Sequence, residues 1–180
     1  VSYQAPDENI FGRLASELVA ELPERLSTRV LENAKRLADQ PALVDGTVRW
    51  NYAELGQEIH AACQWLTSLN VRPGDRIMTV SENCRALVVL LLAASEMDVW
   101  VAIVNSRLSA QEVDLIQGNC LPRRVFYTCE ASQEAVQHAE RNVADRYQHP
   151  QLGGLAISPL FDSEPEPVHA SGAEQVASMI

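Results

Sequence analysis

The sequence has little lysine, no surplus of positive charge and no long hydrophobic run. It contains 13 arginines but one lysine, Lys35, so any reaction that requires a lysine amine has a single candidate in this chain. Its 24 acidic residues outnumber 14 basic ones, for a formal net charge of −10, which argues against binding to nucleic acid or to an anionic membrane surface. The longest apolar run, Ala86–Ala94, is far shorter than the ~20 residues that span a bilayer.

Cysteine patterns of the kind that bind zinc or build disulfide frameworks are also lacking. No Cys-x-x-Cys pair occurs, and the four cysteines are widely spaced: Cys63, Cys84, Cys120 and Cys129. The residues Val1–Asp7 show no basic region followed by an apolar stretch, so no signal peptide is indicated. We therefore expect free thiols in a reducing, cytoplasmic environment.

The composition is that of one globular domain. With 180 residues, of which 47% are hydrophobic and 21% charged, the chain is long enough to bury a sizeable core. Only 8 glycines and 9 prolines are present, which excludes a low-complexity or fibrous protein.

The N-terminal part of the chain reads as helices around a hairpin. Apolar residues at helical spacing predict two amphipathic helices, over residues 9–22 and 23–37. Asp45-Gly46 lies between two short apolar stretches and predicts a tight β-hairpin turn. The segment Tyr52–Leu69 keeps its apolar residues on one face, which predicts a surface helix.

From residue 76 onwards, predicted strands alternate with predicted helices. Three segments have the pattern of short strands: Arg76–Val80, Trp100–Val104 and Arg124–Thr128. Three segments have a helical pattern: 85–95, 109–118 and 135–143. This succession predicts an α/β fold with a mostly parallel sheet and helices on both faces. Gly153–Pro167 is predicted to be rich in turns, and residues 175–180 resemble a strand about to begin.

No complete catalytic motif is present. The sequence lacks a Gly-rich dinucleotide fingerprint, a phosphate loop with lysine, a His-Glu-x-x-His zinc motif and a Gly-x-Ser-x-Gly elbow. Lys35 lies beside Glu32 on the polar side of a predicted helix, so we expect a solvated charge. Four histidines without a partner at i+3 or i+4 are likewise predicted to be solvated: His60, His138, His149 and His169.

The predicted sheet places three loops where ligands of such folds bind, beyond the carboxyl ends of parallel strands. These loops are residues 81–84, 105–108 and 128–131. Asn83 is predicted to be the N-cap of the next helix, with contact to a ligand as the alternative. Arg107 either clamps a phosphate bidentately or pairs with an acidic neighbour such as Glu112.

The order of four short stretches resembles the N-terminal part of the acyl-CoA synthetase and AMP-forming adenylating enzyme superfamily. The four stretches are Trp50–Leu55, Val71–Ile77, Ser81–Asn83 and Val104–Glu112. They are similar, in turn, to that family's T-Y-x-E-L, its G-V-x-x-G-D-R-V, its strand-to-helix asparagine and its V-N-x-R-L-S-x-x-E. The likeness covers residues 22–180, and it departs from the family at Asn70 and Asp98, where glycine is usual.

The resemblance implies part of a large N-terminal domain and a two-step ligase. In such enzymes a small-molecule carboxylate attacks the α-phosphate of ATP, with Mg²⁺ offsetting charge, and the thiol of CoA then displaces AMP. Arg107 matches an arginine that contacts the nucleotide phosphates of CoA in some family members. Residues 1–180 are then expected to be a partial domain that ends just before the phosphate loop, inactive alone and without a tightly bound cofactor.

Two other functions stay open from the sequence. One is a different adenylating enzyme, for amino-acid activation or luciferase-like oxidation, and the other is a self-standing α/β interaction module without catalysis. For the ligase we expect a role in fatty acid metabolism in the cytoplasm, no nucleic-acid partner and no transmembrane segment, with a homo-oligomer as a further hypothesis.

Overall fold

A computed structural model describes residues 9–170, 176, 178 and 179 of the chain. The helices in chain order are α1 (Ala15–Ala20), α2 (Thr28–Arg36), α3 (Tyr52–Ser68), α4 (Arg85–Glu96), α5 (Ala110–Cys120) and α6 (Gln133–Arg141). The strands are β1 (Asn9–Ile10), β2 (Arg13–Leu14), β3 (Pro41–Asp45), β4 (Val48–Asn51), β5 (Arg76–Ser81), β6 (Trp100–Asn105), β7 (Arg124–Tyr127), β8 (Asp145–His149), β9 (Gly153–Ile157) and β10 (Ser178–Met179). No helix among the described residues is long and apolar enough to cross a membrane.

A six-stranded sheet in the order β10-β6-β5-β7-β9-β8 forms the centre of the molecule. Strands β10, β6, β5 and β7 run parallel, and β9 and β8 continue the sheet in antiparallel pairing. All six residues of β5 are buried, as expected for a central strand covered on both faces. The predicted α/β class with a mostly parallel sheet is confirmed.

The core lies on both faces of this sheet. On one face, residues of α3 and α4 such as Ile59 and Leu90 pack with Ile77 and Phe126 of the strands. On the other face, a second cluster joins sheet residues to α5 and α6: Met78, Val80, Val113, Tyr127 and Ala139. Alternate residues of one strand therefore enter opposite clusters, as the period of a strand requires.

Two helices begin with reciprocal capping boxes. Ser109 caps α5, because its hydroxyl accepts from the Glu112 amide while the Glu112 carboxylate accepts from the Ser109 amide, as predicted. Asn51 and Glu54 form the same arrangement at the start of α3. Both caps lie within four consecutive residues, which is why the sequence alone can indicate them.

The predicted N-cap role of Asn83 is wrong. Cys84 occupies the N-cap position of α4, and its side chain makes no capping hydrogen bond. Instead the carboxylate of Asp45, 40 residues earlier, accepts from the Arg85 amide at 2.9 Å. The turn of the β3–β4 hairpin is Gly46-Thr47 and not the predicted Asp45-Gly46, because Asp45 pairs with Val48 as the last residue of β3. From this position at the end of β3 the Asp45 carboxylate caps α4.

Both ends of the chain depart from their predicted elements. Near the start, Phe11 and Gly12 have φ angles of 51° and 83°, which breaks the predicted long helix and leaves the short α1 after a β1–β2 hairpin. Near the other end, the stretch predicted as turns contains β9, and β8 was not predicted at all. Ser178 and Met179 form a short strand, as expected there, and it pairs in parallel with β6. The rest of 175–180, apart from residue 176, lies outside the described residues.

At the two positions where the sequence has another residue in place of the family's usual glycine, the backbone adopts a conformation typical of glycine. Asn70 and Asp98 have φ angles of 61° and 54°, in the left-handed region where asparagine and aspartate are the least unfavourable of the other residues. Asp98 is also bound by Arg25, whose Nη2 lies 2.8 Å and 3.0 Å from its two carboxylate oxygens. Both turns therefore use the left-handed backbone region without glycine.

Candidate functional site

The three loops at the carboxyl ends of β5, β6 and β7 meet, as predicted, and together form what we call the rim: residues 81–84, 105–108 and 128–131. The buried hydroxyls of Ser81 and Thr128 are 2.8 Å apart. The Ser106 amide donates to the Ser81 carbonyl at 3.1 Å. Hydrogen bonds thus tie the β5 loop to both neighbours, which makes the rim a connected structure.

Arg107 extends from the rim with 71% of its side chain exposed. Its Nε and Nη2 donate to the two carboxylate oxygens of Glu82 at 2.8 Å and 3.2 Å, and this pairing raises the pKa of Arg107. Glu112, the partner suggested by the sequence, is engaged in the capping box with Ser109. Of the five guanidinium N–H groups, only the two donated to Glu82 have acceptors among the described residues.

His138 is buried, so its predicted exposure to solvent is wrong. It is 8% exposed, and its Nε2 lies 3.0 Å from the carbonyl oxygens of both Ser106 and Leu108. Because both partners are acceptors, Nε2 must carry the hydrogen. The Ser132 hydroxyl, at the start of α6, lies 2.9 Å from that of Ser106. Helix α6 therefore holds the rim segment that carries Arg107.

His149 is also buried rather than solvated. It is 9% exposed, its ring centroid lies 4.9 Å from that of Trp65, and its Nδ1 accepts from the amides of Gln151 and Leu152. Burial lowers the pKa of His149. These contacts stabilise the β8–β9 turn. The remaining predicted solvated groups are exposed: His60, His169 and Lys35.

A cavity of about 170 Å³ opens beside the rim, bounded by Asn83 and by a pair of carboxylates around Arg85. The Arg85 guanidinium lies 3.1 Å from Asp45 and 2.5 Å from Glu130. Arg85, and then the Gly154 amide, lower the pKa of Glu130. With two carboxylates around one guanidinium, this cavity carries no surplus of positive charge that would attract an anion. Arg107 is the exposed cation among the rim residues.

No metal cluster is found in the part of the chain that the structure describes, and two of its thiols are held in the protonated form. No group of three or more His, Cys, Asp or Glu side chains there could hold a metal ion. Burial raises the pKa of Cys63 and of Cys120 to about 11, so these thiols stay protonated at neutral pH. The four cysteines are free, as predicted.

In open α/β sheets, ligands bind beyond the carboxyl ends of the parallel strands, which is where the rim lies. A model of the family described as "AMP-binding enzyme" matches residues 30–180. The chain belongs to the AMP-binding enzyme family.

Relatives of this chain include named CoA ligases. It is 35% identical over 68 residues to a 2-hydroxy-7-methoxy-5-methyl-1-naphthoate–CoA ligase of Streptomyces carzinostaticus, covering 38% of this chain and 12% of the relative. It is 32% identical over 83 residues to the mitochondrial medium-chain acyl-CoA ligase ACSF2 of Bos taurus, covering 45% and 14%. The chain thus matches only about an eighth of the length of these curated relatives.

The fold has a counterpart among solved structures. The N-terminal domain of FACL13 from Mycobacterium tuberculosis superposes with a TM-score of 0.54 at 23% identity, over 56% of this chain and 26% of that one. The expectation that the fold is part of an acyl-CoA synthetase-like N-terminal domain is confirmed.

Proposed function

We propose that this chain is the N-terminal portion of an ATP-dependent acid–CoA ligase. The observation that carries the proposal is the exposed guanidinium of Arg107 on the rim of an AMP-binding family fold. Relatives named as CoA ligases support CoA as the acceptor. The reaction has two steps: a carboxylate oxygen attacks the α-phosphate of ATP and releases pyrophosphate, and the CoA thiol then attacks the acyl carbon and releases AMP.

Arg107 is suited to a phosphate group of CoA. A guanidinium donates two parallel hydrogen bonds to one phosphate, which a lysine amine cannot do. Glu82 uses one edge of the guanidinium, so the other edge can meet the phosphate while the carboxylate keeps the side chain oriented. The exposed position of Arg107 suits a phosphate at the entrance of a site rather than the buried reacting centre.

ATP and Mg²⁺ are the co-substrate and metal implied by the family. Within residues 9–170, 176 and 178–179 no side-chain cluster fits a metal ion, so we assign no step of adenylation to a metal held here. The contribution of this chain to that step is the sheet that supports the site. We place the ligase in the cytoplasm, although one relative is a mitochondrial enzyme by name.

The isolated 180-residue chain is expected not to exchange pyrophosphate into ATP with any carboxylate. Its one lysine, Lys35, is exposed on α2, and adenylation depends on cationic groups around the phosphates. The measurement is the incorporation of labelled pyrophosphate into ATP across a panel of fatty, aromatic and amino acids, with an active acyl-CoA ligase as the positive control. Exchange by the highly purified chain above a no-protein blank contradicts this prediction.

In a full-length ligase that contains this chain, Arg107→Ala is expected to raise the KM for CoA at least about tenfold, because a charge-assisted contact to phosphate is lost. Pyrophosphate exchange, which reports the first step, is expected to stay unchanged. The matched control is Arg29→Ala, which removes another exposed arginine paired with a carboxylate, Glu32, on α2. A KM for CoA that does not change, or equal damage to both steps, contradicts the role of Arg107.

A further inference from the structure

Helix α6 holds the loop that carries Arg107 at three points. The Ser132 hydroxyl contacts the Ser106 hydroxyl at 2.9 Å, and His138 Nε2 lies 3.0 Å from two backbone carbonyls of the same loop. These carbonyls belong to Ser106 and Leu108, the residues immediately before and after Arg107. One imidazole N–H thus fixes the chain on both sides of the arginine.

The geometry makes this contact hard to replace. Ser106 is fully buried and His138 is 8% exposed, so water has little access to the Ser106 carbonyl when it loses its donor, whereas Leu108 is half-buried. A buried acceptor left without a partner is costly, and a loop relieves that cost by moving. On the sheet side the loop is held at its start, where the Arg107 amide donates to the Asn105 side chain at 2.9 Å and the Ser106 amide donates to the Ser81 carbonyl at 3.1 Å. His138 adds the restraint on the helix side, at the carbonyls of Ser106 and Leu108.

We propose that His138 is a positioning residue for Arg107. Through its Nε2–H, His138 sets where the Arg107 guanidinium meets the phosphate of CoA. This proposal rests on the proposed function, in which Arg107 contacts that phosphate. Glu82 orients the end of the side chain and His138 fixes its backbone, so the two residues restrain Arg107 from opposite ends. Neither His138 nor α6 contacts the reacting atoms in this mechanism.

The test compares three variants in the full-length ligase. His138→Ala removes the donor, His138→Gln keeps an N–H donor near the position of Nε2, and His60→Ala is the matched control. His60 also contacts a backbone carbonyl, that of Gly56 at 2.7 Å, but within α3. Each variant is measured for its KM for CoA in thioester formation and for pyrophosphate exchange, and its melting temperature reports folding.

We expect His138→Ala to raise the KM for CoA about fivefold or more, since small displacements of a binding group weaken its contact strongly. Pyrophosphate exchange is expected to stay within about twofold of the parent enzyme, because the first step does not use CoA. His138→Gln is expected to restore most of the affinity, and His60→Ala to leave it unchanged. If His138→Ala fails to fold, His138→Asn, whose shorter amide cannot bridge both carbonyls, takes its place with the same expectation.

The inference is overturned if neither His138→Ala nor His138→Asn changes the KM for CoA while Arg107→Ala does. It is also overturned if the variants reduce both steps equally, or if glutamine fails to restore the affinity in a folded enzyme, since either result indicates a purely structural role. If Arg107→Ala itself leaves the KM for CoA unchanged, the CoA contact of the proposed function fails. These results separate the failure of one proposal from that of the other.

Discussion

Gly74→Ala is expected to lower the free energy of unfolding of the chain by about 3 kcal/mol or more, the sum of left-handed backbone strain and overpacking. Gly74 has a φ angle of 82°, and a Cβ atom there would overlap the carbonyl oxygen of Glu166. The Glu166 amide in turn donates to the Gly74 carbonyl at 2.8 Å. The added methyl group must therefore push away Glu166, whose carboxylate Arg76 also binds.

Gly46→Ala is the matched control for this prediction. Gly46 also has a left-handed φ of 58°, but nothing lies within 4 Å of a Cβ atom placed there. Its replacement is expected to cost about 1–2 kcal/mol from the backbone alone. Urea unfolding followed by circular dichroism measures both variants. Equal losses would show that the contact with Glu166 has no energetic effect.

Phe126→Ala is expected to cost about 3–5 kcal/mol of stability, as for other buried phenylalanines. Phe126 is 0% exposed in β7, between β5 and β9, and its ring centroid lies 5.7 Å from that of Trp65. Truncation removes the ring from the α3–α4 face of the core and leaves a cavity.

The control for Phe126 is Leu115→Ala on α5, where the leucine is 65% exposed. That change is expected to stay within about 0.5 kcal/mol. Phe126→Leu, which keeps part of the volume, should fall between the two. A Phe126→Ala chain with an unchanged urea midpoint is the result that contradicts the packing described for this core.

Features encoded within a few residues were predictable, and long-range contacts were not. The capping box at Ser109 spans four residues, and the buried strands show as apolar runs, so both were predicted. The cap of α4 was not predicted, because Asp45, which accepts the hydrogen bond of the Arg85 amide, lies 40 residues from Arg85 in the sequence. Strand β8 was missed because four of its five residues are exposed and polar or aromatic, without a clear apolar alternation.

The strand pattern predicted the three loops that meet at the rim, but the contacts of the side chains there were not all foreseen. The sequence placed Arg107 at a strand's carboxyl end and offered Glu112 as a partner. The predicted capping box already engages Glu112, so the sequence itself could have excluded Glu112 as the partner of Arg107. Glu82 becomes a neighbour of Arg107 only when β5 and β6 pair. The burial of His138 depends on how α6 packs against the 105–108 loop, which no local pattern reports.

The antiparallel end of the sheet also affects how the chain behaves in solution. Strand β8 is the outermost strand on its side, and a strand edge with free backbone groups is a template on which another chain can add. Here Asp145, Arg146 and Gln148 are exposed along that strand. Charged side chains on an edge strand disfavour pairing with another chain, so Asp145 and Arg146 oppose sheet extension at this edge.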